Sequence, residues 1–509
     1  MFRNFYSKVV VALSLIVVVS ACDDPEQELF SELNQDAVLS STDPDVLAVL
    51  AAGAYTPIIG AWGGHNSIWS LHEVSSDEMV IAQKGADWED GGQWIRVHRH
   101  QYNPEEESVQ NGWDYCFGAI GTINNLINQF AGNDALVAEF KALRGLVYLW
   151  LLDAYGNVPI ITEESDDSTP EASPRAEVFA FVESSLLENI DALERSATYA
   201  RMNYYVARTA LAKLYLNADI YTGTTNLPGG GTARWNDVIA QADSVLDAGL
   251  YSLEANFLDN FATINNTSEN IFVLNYDTDN AGGFNLPQMT LHYQSEFTYD
   301  LQEQPWNGYA SLQAFYESFD QNDERINSFL VGPQFDLDGE QLNDLSAEDD
   351  DPNGQPIEFT PEINELTPNS LRQAGARVGK FEFALGSGQS LSNDFPIFRL
   401  ADVYLMKAEA LWRLDNGSGE ALELVNMMRT RAGVSPLTGL TADELLAERG
   451  REFFAEGWRR SDLIRFGKFN DPWWEKEMSS ADKNIFPIPQ SARDNNPSLA
   501  QNPGYSEGG

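Results

Sequence analysis

Sulfur, imidazole and positive charge are all scarce in this 509-residue chain. Its two cysteines are Cys22 and Cys116. Cys22 belongs to a leader motif treated below, and Cys116 then stands alone in an apolar helical stretch, so no intrachain disulfide is expected. No histidine adjoins Cys116 to activate it, and no serine sits in a Gly-x-Ser-x-Gly context, which removes two common covalent nucleophiles. The five histidines are His65, His72, His98, His100 and His292. His98-x-His100 places two imidazoles on one face of a strand, but no third ligand is suggested, so the pair reads as structural and no metal site is expected. Only 31 Lys and Arg stand against 77 Asp and Glu, giving a net charge of −46, and nine of the cations are Lys. Nothing in that balance would replace the counterions of a phosphate backbone, so nucleic acid is set aside as a partner. The apolar run Val9 to Val19 is eleven residues long, too short to span a bilayer. The Gly-rich stretch Thr222 to Thr232 lacks a following Gly-Lys-Ser/Thr and is no phosphate loop.

What the chain does contain is enough to fold. Apolar residues make up 43% and there are 12 Trp, which excludes a disordered chain, and the length suffices for one large core or two domains. The excess acid reads as a solvated surface. It is unevenly spread: Arg234 is the one Lys or Arg between Leu216 and Glu324, whereas Arg399 to Lys468 is Arg-rich and interleaved with Glu and Asp.

At the N-terminus, Arg3 and Lys8 precede the apolar run and small residues follow, the pattern of a secretory signal over residues 1–21. Val19-Ser20-Ala21-Cys22 has the look of a lipobox, in which Cys22 is acylated and becomes the mature N-terminus. A diacylglyceryl cysteine supplies the two chains, about the minimum for stable anchoring. A plain signal peptide ending near Ala21 is the alternative. Residues 22–42 are polar and read as a tether, and residues 43–509 as one domain.

Helical spacing recurs along that domain. Asp43 can cap a helix carrying Val46, Leu47, Leu50, Ala51 and Tyr55. Trp113–Phe130 and Ala135–Tyr155 form a pair, then Pro174–Leu193 and Tyr204–Tyr221, then Trp235–Leu246. Near the C-terminus, Leu400, Val403, Tyr404, Ala408, Leu411 and Leu414 define one apolar face. Ser418 can cap the next helix, and Thr441 with Glu444 forms a capping box before LLAERGREFFAEGW. Short paired helices with Ala at the crossings predict a mostly α fold, a tetratricopeptide-like helix-pair scaffold with long irregular loops and a few short β-hairpins. The loops are residues 60–102, rich in Gly, Trp and His, and residues 256–396, where short β-like runs (IFVLNY, RVGKFEF) lie between Gly, Asn and Asp clusters.

Three constellations invite a chemical reading. Glu448, Arg449, Arg451, Glu452, Glu456, Arg459, Arg460, Asp462 and Arg465 lie within helical reach of one another and read as a structural ion network. Asp349, Asp351 and Asn353, in DDDPNG, fit the first half of a calcium loop, but Thr360 occupies the twelfth position where a bidentate Glu belongs. A turn is the favoured reading, with calcium kept open as the alternative. The third constellation is aromatic. Trp62, Trp69, Trp88 and Trp94, with Trp306 and Tyr309 in EQPWNGYA, stand in loop sequence flanked by Asp, Asn and Gln. Flat rings with polar edges suit sugars, which present C–H faces and hydroxyl rims, so these six are the candidate ligand-binding residues; the alternative for each ring is that it only fastens loop to core.

The order of motifs RLADVYLMKAEAL, VNMMRTRAG, ERGREFFAEGWRRSDLIRFG, FPIP and NPGY resembles the C-terminal signature of the SusD/RagB family, surface lipoproteins of Bacteroidetes-type bacteria. EFKALRGLVYLWLLDAYGNVPII resembles the family's second diagnostic run. SSDE at Ser75–Glu78 and the following Asp-Trp…Gly-Gly…Trp segment resemble its N-terminal loop, which commonly contributes to the ligand face. DDPEQE after Cys22 resembles the acidic stretch that directs such lipoproteins to the cell surface. The resemblance implies a SusD-like fold and a glycan-binding protein, lipid-anchored in the outer membrane and exposed at the cell surface. Such a protein acts as the lid of a SusC-like TonB-dependent transporter and delivers oligosaccharide or polysaccharide to it. It implies no enzyme, no catalytic residue and no required cofactor. A peptide-binding member of the same family is the first alternative. An α-helical glycoside hydrolase, which needs two carboxyls facing each other across a cleft, and a helical-repeat adaptor, which needs an apolar concave groove without loop aromatics, are the others.

Overall fold

Side-chain caps start several of the scaffold's helices. The computed structural model describes residues 43–346 and 356–506. The signal and tether before residue 43, the lipidation site Cys22 and the calcium candidates Asp349, Asp351 and Asn353 lie outside the described residues. The backbone from Ala48 on forms one compact unit, and residues up to Leu47 belong to another, of which the start of the first helix is described.

Helix α1 is Pro44–Tyr55, with Ala51 and Ala54 buried. Two short helices follow, α2 (Ile68–Val74) and α3 (Gln93–His98). Helices α4 (Glu107–Gln129) and α5 (Asp134–Ala154) form the first long pair. Asn133 caps α5, its Oδ1 accepting from the Leu136 N–H at 3.2 Å. Helix α5 is buried on nearly every side because it packs on α4 and also on α6 (Arg175–Leu187). Gly145 permits that second contact: a Cβ there would lie 3.0 Å from Ser185 Cβ. Helix α7 (Tyr204–Leu216), capped by Asn203 Oδ1 on the Tyr205 and Val206 N–H groups, packs on α8 (Trp235–Leu246). Helix α8 in turn packs on α9 (Leu400–Leu414), and α9 on α10 (Gly419–Arg431). Ser418 caps α10, and the Thr441–Glu444 capping box starts α11 (Ala442–Phe453), both as the sequence predicts. Ala401, Leu405, Ala408, Val425, Met428, Leu445 and Phe453 make the shared core of α9 to α11. Helix α11 ends at Phe453, short of the expected Trp458. Ala455 and Gly457 turn left-handed, with φ of 60° and 81°, and the chain restarts as α12 (Arg459–Arg465). Only glycine fits at 457, since a Cβ would come 2.1 Å from the Trp62 ring.

Four two-stranded antiparallel ribbons complete the described fold: β1 (Met79–Ile81) with β3 (Tyr309–Ser311), β2 (Asn270–Leu274) with β8 (Phe395–Arg399), β4 (Phe329–Leu330) with β7 (Arg377–Val378), and β5 (Gly332–Pro333) with β6 (Glu358–Phe359). No described helix is long and apolar enough to cross a membrane.

Two expectations are corrected here. Residues 60–102 are not loop throughout: α2, β1 and α3 lie within them. All seven residues of α2 are buried, so it shows no polar face and no helical period to read. His98 and His100 are not on a strand either. His98 ends α3 and His100 is left-handed, at φ 53°. Both are buried, bonded through ring nitrogens to Trp474 O at 2.8 Å and to Ser75 O at 2.8 Å and Ser479 Oγ at 3.0 Å.

The Arg-rich cluster is a buried ion network that ties the irregular 256–396 stretch to the helices. Arg399 meets Glu269 and Glu456 at 2.6 Å each and Glu452 at 3.1 Å. Arg325 meets Glu448 at 2.8 Å, Arg449 meets Asp462 at 2.8 Å, and Arg465 meets Glu409 at 2.7 Å. Burial alone would raise the Glu452 carboxyl, but the guanidiniums of Arg431, Arg399 and Arg325 outweigh it and hold the group far below its ordinary range.

Candidate functional site

The ribbon of β1 and β3, in register Ile81↔Tyr309, brings two loops together beside it. The first reverses at Gly85 (φ 68°), where Lys84 and Asp87 exchange backbone hydrogen bonds of 2.9 and 3.2 Å. The second, residues 304–308, is pinned through the N–H groups of Trp306, Asn307 and Gly308. These donate to the carbonyls of Gln288 (2.6 Å), Leu291 (3.0 Å) and Met289 (2.8 Å). Trp88 joins the loops. Its indole N–H donates to Trp306 O at 2.6 Å, and its ring lies so close over Gly308 that a Cβ there would be 2.2 Å from Cζ2. Trp88 itself sits at φ 59°, a conformation uncommon for a bulky residue and held here by the surrounding contacts.

Between the loops opens a cleft of about 520 Å³. Trp88 and Trp306, both half-buried, provide its aromatic walls, and His65 lies between them with ring centroids 5.1 and 6.0 Å away. Asp87, Asp90, Tyr293, Gln304 and Pro305 complete the lining. Tyr293 donates its hydroxyl to Asp87 Oδ2, and the Trp94 indole N–H donates to Asp90 Oδ2 at 3.0 Å. His65 Nδ1 lies 2.9 Å from the Tyr309 hydroxyl, which donates onward to Ser70 Oγ at 2.8 Å. With that hydroxyl proton committed, the imidazole is the donor through Nδ1, leaving Nε2 as an acceptor. Burial lowers His65 to about 4, so it is neutral at pH 7. The neighbouring hollow, about 290 Å³, shares His65 and Asp90 and adds Asn66, Gln93, Arg96, Glu105, Glu106 and Glu107.

The six aromatic candidates therefore divide. Trp88 and Trp306 line the cleft. Trp62, Trp69, Trp94 and Tyr309 are buried, so for these four the alternative of rings that fasten loop to core holds and they do not line the cleft. Trp62 packs among Trp150, Trp458 and Phe395, and the Trp69 indole donates to Ala455 O at 3.0 Å. Trp94 and Tyr309 buttress His65, at centroid distances of 5.3 and 5.8 Å. Their Gly-rich sequence context does not tell which rings fasten loop to core and which line the cleft. His65, Asp87, Asp90, Tyr293 and Gln304 were missed as site residues. The one local signal was the pair of acids around Trp88 in the run Ala86–Asp90.

The arrangement can hold a flat, hydroxyl-bearing ligand, since indole faces stack on C–H surfaces while carboxylates, the Gln304 amide and the Tyr293 oxygen address a polar rim. Among the described residues, no group of three or more His, Cys, Asp or Glu could hold a metal ion.

Residues 380–479 match the model of the SusD family. The chain is 26% identical to the starch-binding protein SusD of Bacteroides thetaiotaomicron over 88% of this chain and 86% of that one. It is 23% identical to a SusD-like protein of Formosa agariphila over 99% of both. Among solved structures, surface glycan-binding protein A from Bacteroides thetaiotaomicron, in complex with laminarihexaose, superposes with a TM-score of 0.69 at 23% identity, covering 90% of this chain and 99% of that one. A laminarin-binding SusD-like protein gives 0.70 at 22%, covering 91% and 100%. At these identities the two structures share the fold.

Proposed function

Because the chain belongs to the SusD/RagB family, we propose that it is a surface glycan-binding protein and that the cleft between Trp88 and Trp306 is where the glycan lies. The observation that carries this reading is the pairing of two half-exposed indoles with Asp87 and Asp90 in one cleft of about 520 Å³. Sugar rings stack on the indoles, and their hydroxyls donate to the carboxylates and to the Gln304 carbonyl. No bond is made or broken. Relatives named for starch and laminarin binding support the ligand class. The finer parts rest on the sequence: Cys22 in its lipobox anchors the protein in the outer membrane, and the body serves as the lid that passes oligosaccharide to a TonB-dependent transporter of the SusC type.

Isothermal titration of the mature chain against a panel of neutral and acidic oligosaccharides and short peptides tests the proposal. Saturable binding of at least one glycan, lost in Trp88→Ala, is the expected result. Binding of peptides with no response to any glycan overturns it. Mass spectrometry of the membrane-extracted protein checks Cys22, where an unmodified cysteine removes the anchor.

A further inference from the structure

We infer, on the footing that this cleft is the glycan site, that it takes neutral, hydroxyl-rich chains and turns away those carrying uronate or sulfate groups. The two adjoining hollows share His65 and Asp90 and together present Asp87, Asp90, Glu105, Glu106 and Glu107. Against these five carboxylates stands one guanidinium, Arg96, and it is committed. Its Nε and Nη2 donate to the two oxygens of Glu106 at 2.5 and 2.7 Å, and its Nη1 donates to Gly91 O at 2.7 Å. The nearby Lys84 is equally occupied, its buried ammonium lying 3.1 Å from Ala82 O and 3.4 Å from Gly308 O. His65 contributes no charge at neutral pH, so the wall keeps an uncompensated negative field. Ionised carboxylates only accept hydrogen bonds, so every ligand group that meets them must donate. A hydroxyl does so; a second carboxylate or a sulfate does not, and it is repelled besides. Asp87 and Asp90 each spend Oδ2 on Tyr293 and Trp94, and Oδ1 is what remains for a sugar hydroxyl.

The test takes a neutral oligosaccharide that binds the mature chain, its C6-oxidised uronate form, and the methyl ester of that form, which restores neutrality at the same position. Affinities are compared by titration at about 10 mM and 500 mM salt, where the Debye length falls from about 30 Å to a few ångströms. The uronate form is expected to bind about tenfold or more weakly at low salt, with the ester recovering most of the loss. The gap should narrow at high salt and in Asp90→Asn. A uronate form that binds as tightly as the neutral chain, or a natural acidic glycan that binds where no neutral one does, refutes the charge selection while leaving the site intact, provided Trp88→Ala abolishes that binding. Binding of every kind that survives Trp88→Ala and Trp306→Ala refutes instead the reading on which the inference rests.

Discussion

Glu73 and Glu78 are two carboxyls buried side by side near the turn that precedes α12, and replacing one with its amide should change how stability responds to pH. Glu73 Oε1 accepts from the Gly457 N–H at 2.6 Å and Glu78 Oε2 from the Ala455 N–H at 3.4 Å. The second oxygens, Glu73 Oε2 and Glu78 Oε1, are buried and meet no N–H or O–H donor. The two carboxyls are close enough that a charge on Glu73 raises Glu78, so the protein resists ionising both. Burial is the main cause that pushes Glu73 up to about 8 from an ordinary 4.5, and burial followed by the charge of Glu73 raises Glu78 well above the same value. In the unfolded chain Glu73 loses its proton near 4.5, whereas the folded protein holds it until about 8. Over that window Glu73 carries a proton in the native state that it lacks in the unfolded state. This group's contribution is therefore fully present below pH 4.5, falls by about 1.4 kcal/mol per pH unit, and is lost by about pH 8, a total of up to about 5 kcal/mol. In Glu73→Gln the carbonyl can still accept from Gly457 and the new amide can donate to Glu78, without a titrating proton. The expected outcome is a variant of similar or slightly lower stability at pH 5 that overtakes the parent between pH 6 and 8 and stays ahead at pH 9. Urea midpoints at five pH values measure it. Parallel curves for the two proteins from pH 5 to 9 would refute the raised Glu73 carboxyl.

Four further outcomes rest on the geometry. Trp88→Ala and Trp306→Ala should each weaken glycan binding about tenfold or more with little change in urea midpoint, as expected of aromatic anchors at a binding surface. Trp69→Ala should instead cost about 3–5 kcal/mol of stability, because it empties the core; an affinity loss in Trp69→Ala larger than in Trp88→Ala would contradict this division. Gly308→Ala should displace the Trp88 ring, given the 2.2 Å approach, and so lower affinity without removing any ligand-contacting group. Unchanged binding together with unchanged Trp fluorescence would show that the ring is not fixed there. Arg399→Met removes the guanidinium shared by Glu269, Glu452 and Glu456, leaving them to Arg431, Arg325 and Lys380, and a loss of about 3–5 kcal/mol is expected from chemical denaturation. A midpoint within error of the parent would mean that the network is dispensable.

Much of the scaffold was legible because its causes are local. Ser418, Thr441 and Glu444 announce helix starts through side chains that bond backbone three residues away, and Trp235–Leu246 follows a period read without knowing its neighbours. The ion cluster was legible for a similar reason: so many opposite charges at helical spacing are stable together only when paired. Helix α2 was not legible, because burial on all sides erases the polar face that marks a helix.

The chain's own order of residues thus determined the helix pairs, several of their caps, the charged network and the excess of acidic over basic residues. Which rings meet solvent was decided by the tertiary structure alone. Trp88 and Trp306 are 218 positions apart and meet because β1 and β3 pair, while Trp62 and Trp69, in the same stretch as Trp88, are carried inward against Trp150 and Ala455. Local sequence specifies what a side chain can do. The face it shows to ligand depends on contacts between distant segments, and no local pattern encodes those.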